Sequence, residues 1–215
     1  MEQASAISYD SLPISLMIVL IAAIVITIQV ANGFAMSGAD TYIGGSIAIV
    51  MIREIAPGFV ALAIGARAGT SICAEIANMK VTSQVDAIKT LKINPVGYYF
   101  TPRLIAAMIT IPMVVLLAEF IGIVGGMYVA QAAIDLHPAR YIHSVWAWLS
   151  MRDIYISLFK GAVFGVLIAL VCATQGYTTS GGAKQVGIST TKSSILSTVY
   201  MLVADLFINL IFYIF

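Results

Sequence analysis

The sequence predicts an all-α polytopic membrane bundle of about five transmembrane helices, with one short amphipathic helix on the cytoplasmic side. Three observations carry this. The 215 residues are 60% apolar and only 10% charged, with a mean hydropathy of +1.00, whereas a water-soluble domain carries about a quarter charged residues. Five apolar stretches each approach or exceed the roughly 20 residues that cross a bilayer core. Helices are the expected form, because an open strand would leave its backbone polar groups unsatisfied in lipid.

The first span is expected over 12–36. No charged residue lies between Asp10 and Asp40, and Leu12–Ala31 is almost wholly apolar. A secretory signal would pair a shorter apolar core with a basic start; Met1–Ser11 holds Glu2 and Asp10 and no Lys or Arg. The remaining spans are expected over 42–70, 103–131, 153–176 and 191–214. The short connections between them predict a single domain over 1–215. Orientation follows from the bias of Lys and Arg towards the cytoplasm. Arg67, Lys80, Lys89, Lys92, Arg103, Lys184 and Lys192 flank two connections on one side, against Arg140 and Arg152 on the other. That count places residues 70–102 and the N-terminus in the cytoplasm and the C-terminus outside.

Between the second and third spans runs "AEIANMKVTSQVDAIKTLKINP", residues 74–95, with Glu75, Lys80, Asp86, Lys89 and Lys92 crowded together. Val81, Val85, Ile88 and Leu91 recur at i, i+4, i+7 and i+10, one apolar stripe on a helix. Ser83 and Asp86 resemble a capping pair for its start, and Asn94-Pro95 is expected to end it. The residues alone fit two roles equally: a knob that docks a partner or a helix lying flat at the lipid interface.

Ionisable side chains within spans are costly, about 2.5–3.5 kcal/mol each on insertion scales, and mark interiors or watery cavities. Here they are Arg53, Glu54, Glu119, Lys160 and Asp205. Depths counted at about 1.5 Å per residue put Glu54, Lys160 and Asp205 in the outer half, where the acids and the lysine can compensate each other. A structural ion-pair network and a polar patch in a substrate cavity both fit. Rows of small residues, Ala61/Gly65/Gly69, Ala118/Gly122/Gly126/Ala130 and Gly161/Gly165/Ala169, predict close helix packing or a homodimer seam.

Other chemistry is thinly represented. Near-neutral charge gives no reason for nucleic acid. Cys73 and Cys172 read as buried free thiols. Asp135, His137 and His143 lack a further metal ligand, and Trp146, Trp148, Tyr141 and Tyr155 around them read as an interfacial aromatic belt. No nucleophile–base set is present. No G-x-x-x-x-G-K-[ST] stretch occurs, so ATP phosphates are not expected to be bound by this chain.

The block "REIAPGFVALAIGARAGTSICAEIANMKVTSQVDAIKTLKINPVGYYFTPRLIAAMITIP", followed by "EFIGIVGG", "GYTTSGGAKQVGISTTKSSI" and "ADLFINLIF", closely resembles MlaE-type permeases, the membrane subunits of MCE-associated ABC lipid transporters. The resemblance covers roughly residues 45–214. It implies a non-enzymatic permease that moves phospholipid or a related lipid between the inner membrane and an MCE-domain periplasmic protein, supporting outer-membrane lipid asymmetry. It implies a homodimer, a cytoplasmic ABC ATPase that binds the ATP and Mg, and a small STAS-type cytoplasmic subunit as an optional partner. Val81, Val85, Asp86, Ile88, Lys89, Leu91 and Lys92 would form the ATPase coupling helix. Arg53, Glu54, Lys160 and Asp205, with Glu119 matching less firmly, would line a lipid cavity walled by Leu206 and Leu210. Family members usually carry an amphipathic segment before the first span; only residues 1–11 precede it here, so a short member or a missing N-terminal piece is expected. A rival class is an ion-coupled carrier or channel that uses Glu54, Lys160 and Asp205.

Overall fold

The computed structural model describes residues 11–35, 39–92 and 94–214; residues 1–10, on which the expectation about a preceding segment falls, lie outside them. Among the described residues all regular structure is helical. Five helices are long and apolar enough to cross a membrane, Leu12–Phe34, Ile43–Val81, Pro95–Ile134, Met151–Tyr177 and Ala183–Phe212, so the expected polytopic helical bundle is what forms. In chain order we label α1 (Leu12–Ala35), α2 (Ile43–Val81), α3 (Gln84–Thr90), α4 (Pro95–Tyr99), α5 (Thr101–Ile134), α6 (Pro138–Trp148), α7 (Met151–Tyr177) and α8 (Ala183–Asn209).

The helices differ from expectation mainly at their ends. α2 continues to Val81 instead of stopping near 70. Nothing in residues 70–81 breaks a helix, and its polar side chains find partners: Glu75 pairs with Arg103 and Lys80 with Asp86. α8 begins at Ala183, after Gly181 at φ +116 and Gly182 at the N-cap; its first turns are polar and exposed. α2 also contains two π-turns, Met51–Ile55 and Gly65–Gly69. Pro57 has no N–H to offer the carbonyl four residues back, that of Arg53, and the helix widens there. A π-turn changes the register of the side chains it carries, and such turns recur at functional sites. This one carries Arg53 and Glu54.

The chain divides into two compact units. One comprises Pro13–Val60 and Pro112–Phe159. In it Val19, Ala23, Thr27 and Ala31 form the buried stripe of α1, at four-residue spacing. The start of α2 lies along α6, where Gly44 and Gly45 meet the Tyr141 backbone and Trp148. A side chain at Gly44 would collide with the Tyr141 carbonyl, so this contact needs glycine. The connection between the spans expected over 103–131 and 153–176 is largely a helix. His137 starts it, its Nδ1 accepting the Ala139 N–H at 3.2 Å. Tyr141 is not part of an aromatic belt: it is fully buried, and burial pushes its phenol pKa well up. Trp146, Trp148 and Tyr155 are exposed, as a belt requires.

The other unit comprises Met1–Leu12, Ala61–Ile111 and Lys160–Phe215. Its core is built by Ile72, Cys73 and Ile76 of α2, Ala107 and Ile111 of α5, Phe164, Ile168 and Cys172 of α7, and Ser193, Ser197 and Met201 of α8. Close approach is again made by small residues: a Cβ on Gly165 would lie 2.6 Å from the Ala107 carbonyl oxygen, and one on Gly176 2.7 Å from that of Cys73. The small-residue rows thus pack helices within the chain, the packing mode expected in lipid.

Candidate functional site

Lys160 and Asp205 come together as expected. Lys160 is 0% exposed on α7, and its Nζ lies 2.8 Å from Asp205 Oδ1 of α8, which is 23% exposed. Taking an ammonium out of water costs several kcal/mol, on the order of what a well-placed carboxylate returns. The pair sits among apolar neighbours: Phe164 lies one turn along α7, and Met201 and Ile208 flank Asp205 on α8. Both residues belong to the same unit.

Arg53, Glu54 and Glu119 belong to the other unit. Arg53 Nε donates to Asp153 Oδ1 at 2.9 Å. Asp153 is buried and does a second task, accepting the Ser150 N–H at 3.2 Å through Oδ2, while Ser150 Oγ accepts the Arg152 N–H. This is a capping box at the start of α7, in a position where the helix dipole also favours an acid. Glu119, 4% exposed, accepts a hydrogen bond from the Ser157 hydroxyl. Glu54 lies on the exposed side of the π-turn. Each unit thus holds one of these ion pairs, Arg53–Asp153 in the first and Lys160–Asp205 in the second. Sequence reasoning missed Asp153 and Ser157. The signal for the first was the S-x-x-D pattern of Ser150 and Asp153. The signal for both was spacing: Asp153, Ser157 and Lys160 stand at i, i+4 and i+7 on α7, one face of a helix.

α8 is the helix least covered by the chain itself, with only 17% of its most apolar window buried. Leu202, Val203, Leu206 and Phe207 are exposed on it, as is Ile211 in the π-turn that follows, where Leu210 is half-buried. Asp205 is the one acidic residue of this helix.

The amphipathic helix is shorter than expected, Gln84–Thr90 rather than 81–92. Ser83 does not cap it. Its φ is +62°, and it makes no side-chain cap hydrogen bond. Nor does Asn94-Pro95 end it; Lys92 does, at φ +59°, while the Asn94 side chain accepts the Val96 N–H and starts α4. The apolar stripe faces inwards. Val85 is 0% exposed, Val81 and Ile88 are half-buried, and only Leu91, 70% exposed, points out. Val85 therefore seats α3 on its own chain and is not available to a partner. The outward surface is Asp86, Lys89, Leu91 and Lys92. Asp86 Oδ1 lies 3.4 Å from both Lys80 Nζ and Lys89 Nζ. The Lys89 contact, then Lys80, holds the Asp86 carboxyl below its ordinary pKa, and Asp86 raises that of Lys89. A depressed acid keeps its pairing above the usual carboxylate range and loses it as pH falls through the lowered value, so the cluster is intact at neutral pH.

A family model described as Permease MlaE matches residues 1–211. The chain is 36% identical over 209 residues to a probable ABC transporter permease protein of Synechocystis sp., covering 97% of this chain and 80% of that one. It is 35% identical over 212 residues to a probable ABC transporter permease protein of Rickettsia prowazekii, covering 99% and 82%. It is 31% identical over 187 residues to the protein TRIGALACTOSYLDIACYLGLYCEROL 1, chloroplastic, of Arabidopsis thaliana, covering 87% of this chain and 53% of that one.

Proposed function

Because this chain belongs to the MlaE permease family, the membrane-embedded part of an ABC transporter, we propose that it provides the path of a lipid substrate, with two copies enclosing the path between them. The observation that carries this is the face of α8: an apolar wall of Leu202, Leu206 and Phe207 with the Lys160–Asp205 pair set into it. Acyl tails need such a wall and a headgroup needs polar contacts; a path for an inorganic ion needs no apolar wall of this extent. The name of the Arabidopsis relative, which is that of a glycolipid, supports the same substrate class. In this reading the lipid passes between the inner membrane and an MCE-type periplasmic protein, and a cytoplasmic ABC ATPase supplies the energy. The N-terminus and α3 then face the cytoplasm, as the Lys and Arg count favours.

The test is lipid movement in vesicles holding the purified complex. Fluorescent phospholipid should leave or enter the membrane when ATP and Mg are added, and not when a pH or sodium gradient is imposed without ATP. Movement driven by the gradient alone would reject this function in favour of an ion-coupled carrier.

A further inference from the structure

The geometry points to Tyr177 as a positioning residue that clamps the solvent-exposed helix α3 to α7, so that a push on α3 is delivered to the helix bearing Lys160. The inference rests on the function proposed above, with α3 taken as the place where the cytoplasmic ATPase acts. Tyr177 is the last residue of α7. Lys80 Nζ, from the end of α2, and Lys89 Nζ, from α3, each lie 5.9 Å from the centre of its ring, within the range of cation–π attraction. Asp86 bridges the same two ammonium groups at 3.4 Å. The Phe100 ring, just before α5, meets Tyr177 edge-on, with centroids 5.9 Å apart and planes at 75°. One aromatic side chain thus joins the ends of three spanning segments to the short helix between two of them.

Two further features make this contact directional. Val85 is sunk into the unit's core and Gly176, next to Tyr177, lies flush on the backbone of α2, so α3 has little freedom to slide without carrying the end of α7. From Tyr177 to Lys160 α7 runs 17 residues without a proline, about 25 Å of continuous helix. Rigid helices of this kind carry energetic coupling between distant groups. Lys80 and Lys89 lie over the ring, Phe100 meets its edge, and Asp86 bridges the two ammonium groups. Two are cations, and Lys89 is held by the Tyr177 hydroxyl as well as by the face of its ring.

The experiment uses the purified complex with its ATPase and measures lipid transferred per ATP hydrolysed. Tyr177→Ala should leave the ATPase bound and hydrolysing while this ratio falls about five-fold, the effect of losing about 1 kcal/mol of positioning. Tyr177→Phe, which keeps the ring and loses the hydroxyl contact with Lys89, should lower the ratio less than Tyr177→Ala does. Lys80→Met with Lys89→Met, which retains the side-chain stems and removes the cations, should lower it as Tyr177→Ala does. It also decides the matter if the alanine variant does not fold. Leu91→Glu serves as the comparator for docking and should release the ATPase altogether. An unchanged ratio in Tyr177→Ala or in the double lysine variant overturns the clamp. If the unaltered complex moves no lipid, the proposed function fails instead. Amide exchange over Gln84–Thr90 then reads the clamp separately: faster exchange in both variants supports it, and unaltered exchange overturns it.

Discussion

Asp205→Ala is expected to destabilise the protein by about 3–5 kcal/mol and to abolish transport, more severely than Lys160→Ala. The asymmetry follows from burial. Lys160 is 0% exposed and Asp205 23%, so removing the carboxylate takes away the counter-charge 2.8 Å from a buried ammonium, the costly way to break a buried pair. Removing the lysine leaves an acid that already reaches solvent or headgroups, with a loss of about 2 kcal/mol including the vacated space. Changing both residues should cost less than the sum of the single changes by on the order of 1–3 kcal/mol, as contacting residues do. Unfolding of the purified protein in detergent, followed for the four variants, gives these values. Strict additivity would mean that the 2.8 Å contact carries no energy.

The second large effect is expected at Arg103, a residue of the positive-inside count that proves structural. It is 4% exposed; Nη1 donates to the Tyr99 carbonyl at 2.9 Å and Nη2 to Glu75 at 2.8 Å. This fork fastens α5 to α2, and a guanidinium can serve both acceptors at once where an ammonium cannot. Arg103→Lys should therefore cost about 1–3 kcal/mol and Arg103→Ala about 3 kcal/mol or more. Glu75→Gln should cost only about 1 kcal/mol, because the amide oxygen can still accept from Nη2 and water reaches that end of the pair, Glu75 being 48% exposed on its side chain. Thermal unfolding of the three variants in the same detergent orders them. A lysine variant as stable as the original would contradict a bidentate role.

These residues show where the sequence was readable and where it was not. Apolar runs identified all five spanning helices, because nothing but length and hydropathy is needed for that. The Lys160–Asp205 pair was also legible, since two opposite charges at similar depth have strong reason to meet. The partner of Arg53, Asp153, was not legible in hydropathy, which does not reveal the π-turn that carries Arg53, and Asp153 was treated as the edge of a span. The S-x-x-D pattern at Ser150 and the i, i+4, i+7 spacing of Asp153, Ser157 and Lys160 carried that information. Val85 was assigned to the outer surface because periodicity shows that a helix has an apolar face but not which body covers it. Here the chain's own core does. α6 escaped notice because its polar face made 132–152 look like a loop.

The central claim, that the α8 face walls a lipid path, is tested most directly by photo-crosslinking in vesicles that hold the complete complex. A photoreactive residue replaces Leu206 or, as a control on the exposed start of the same helix, Lys184. Phospholipid should be captured strongly at Leu206, and capture should fall when ATP and Mg are supplied, while the control captures little and does not respond. Equal capture at both positions, indifferent to ATP, would mean that α8 touches only the surrounding bilayer and would contradict the account.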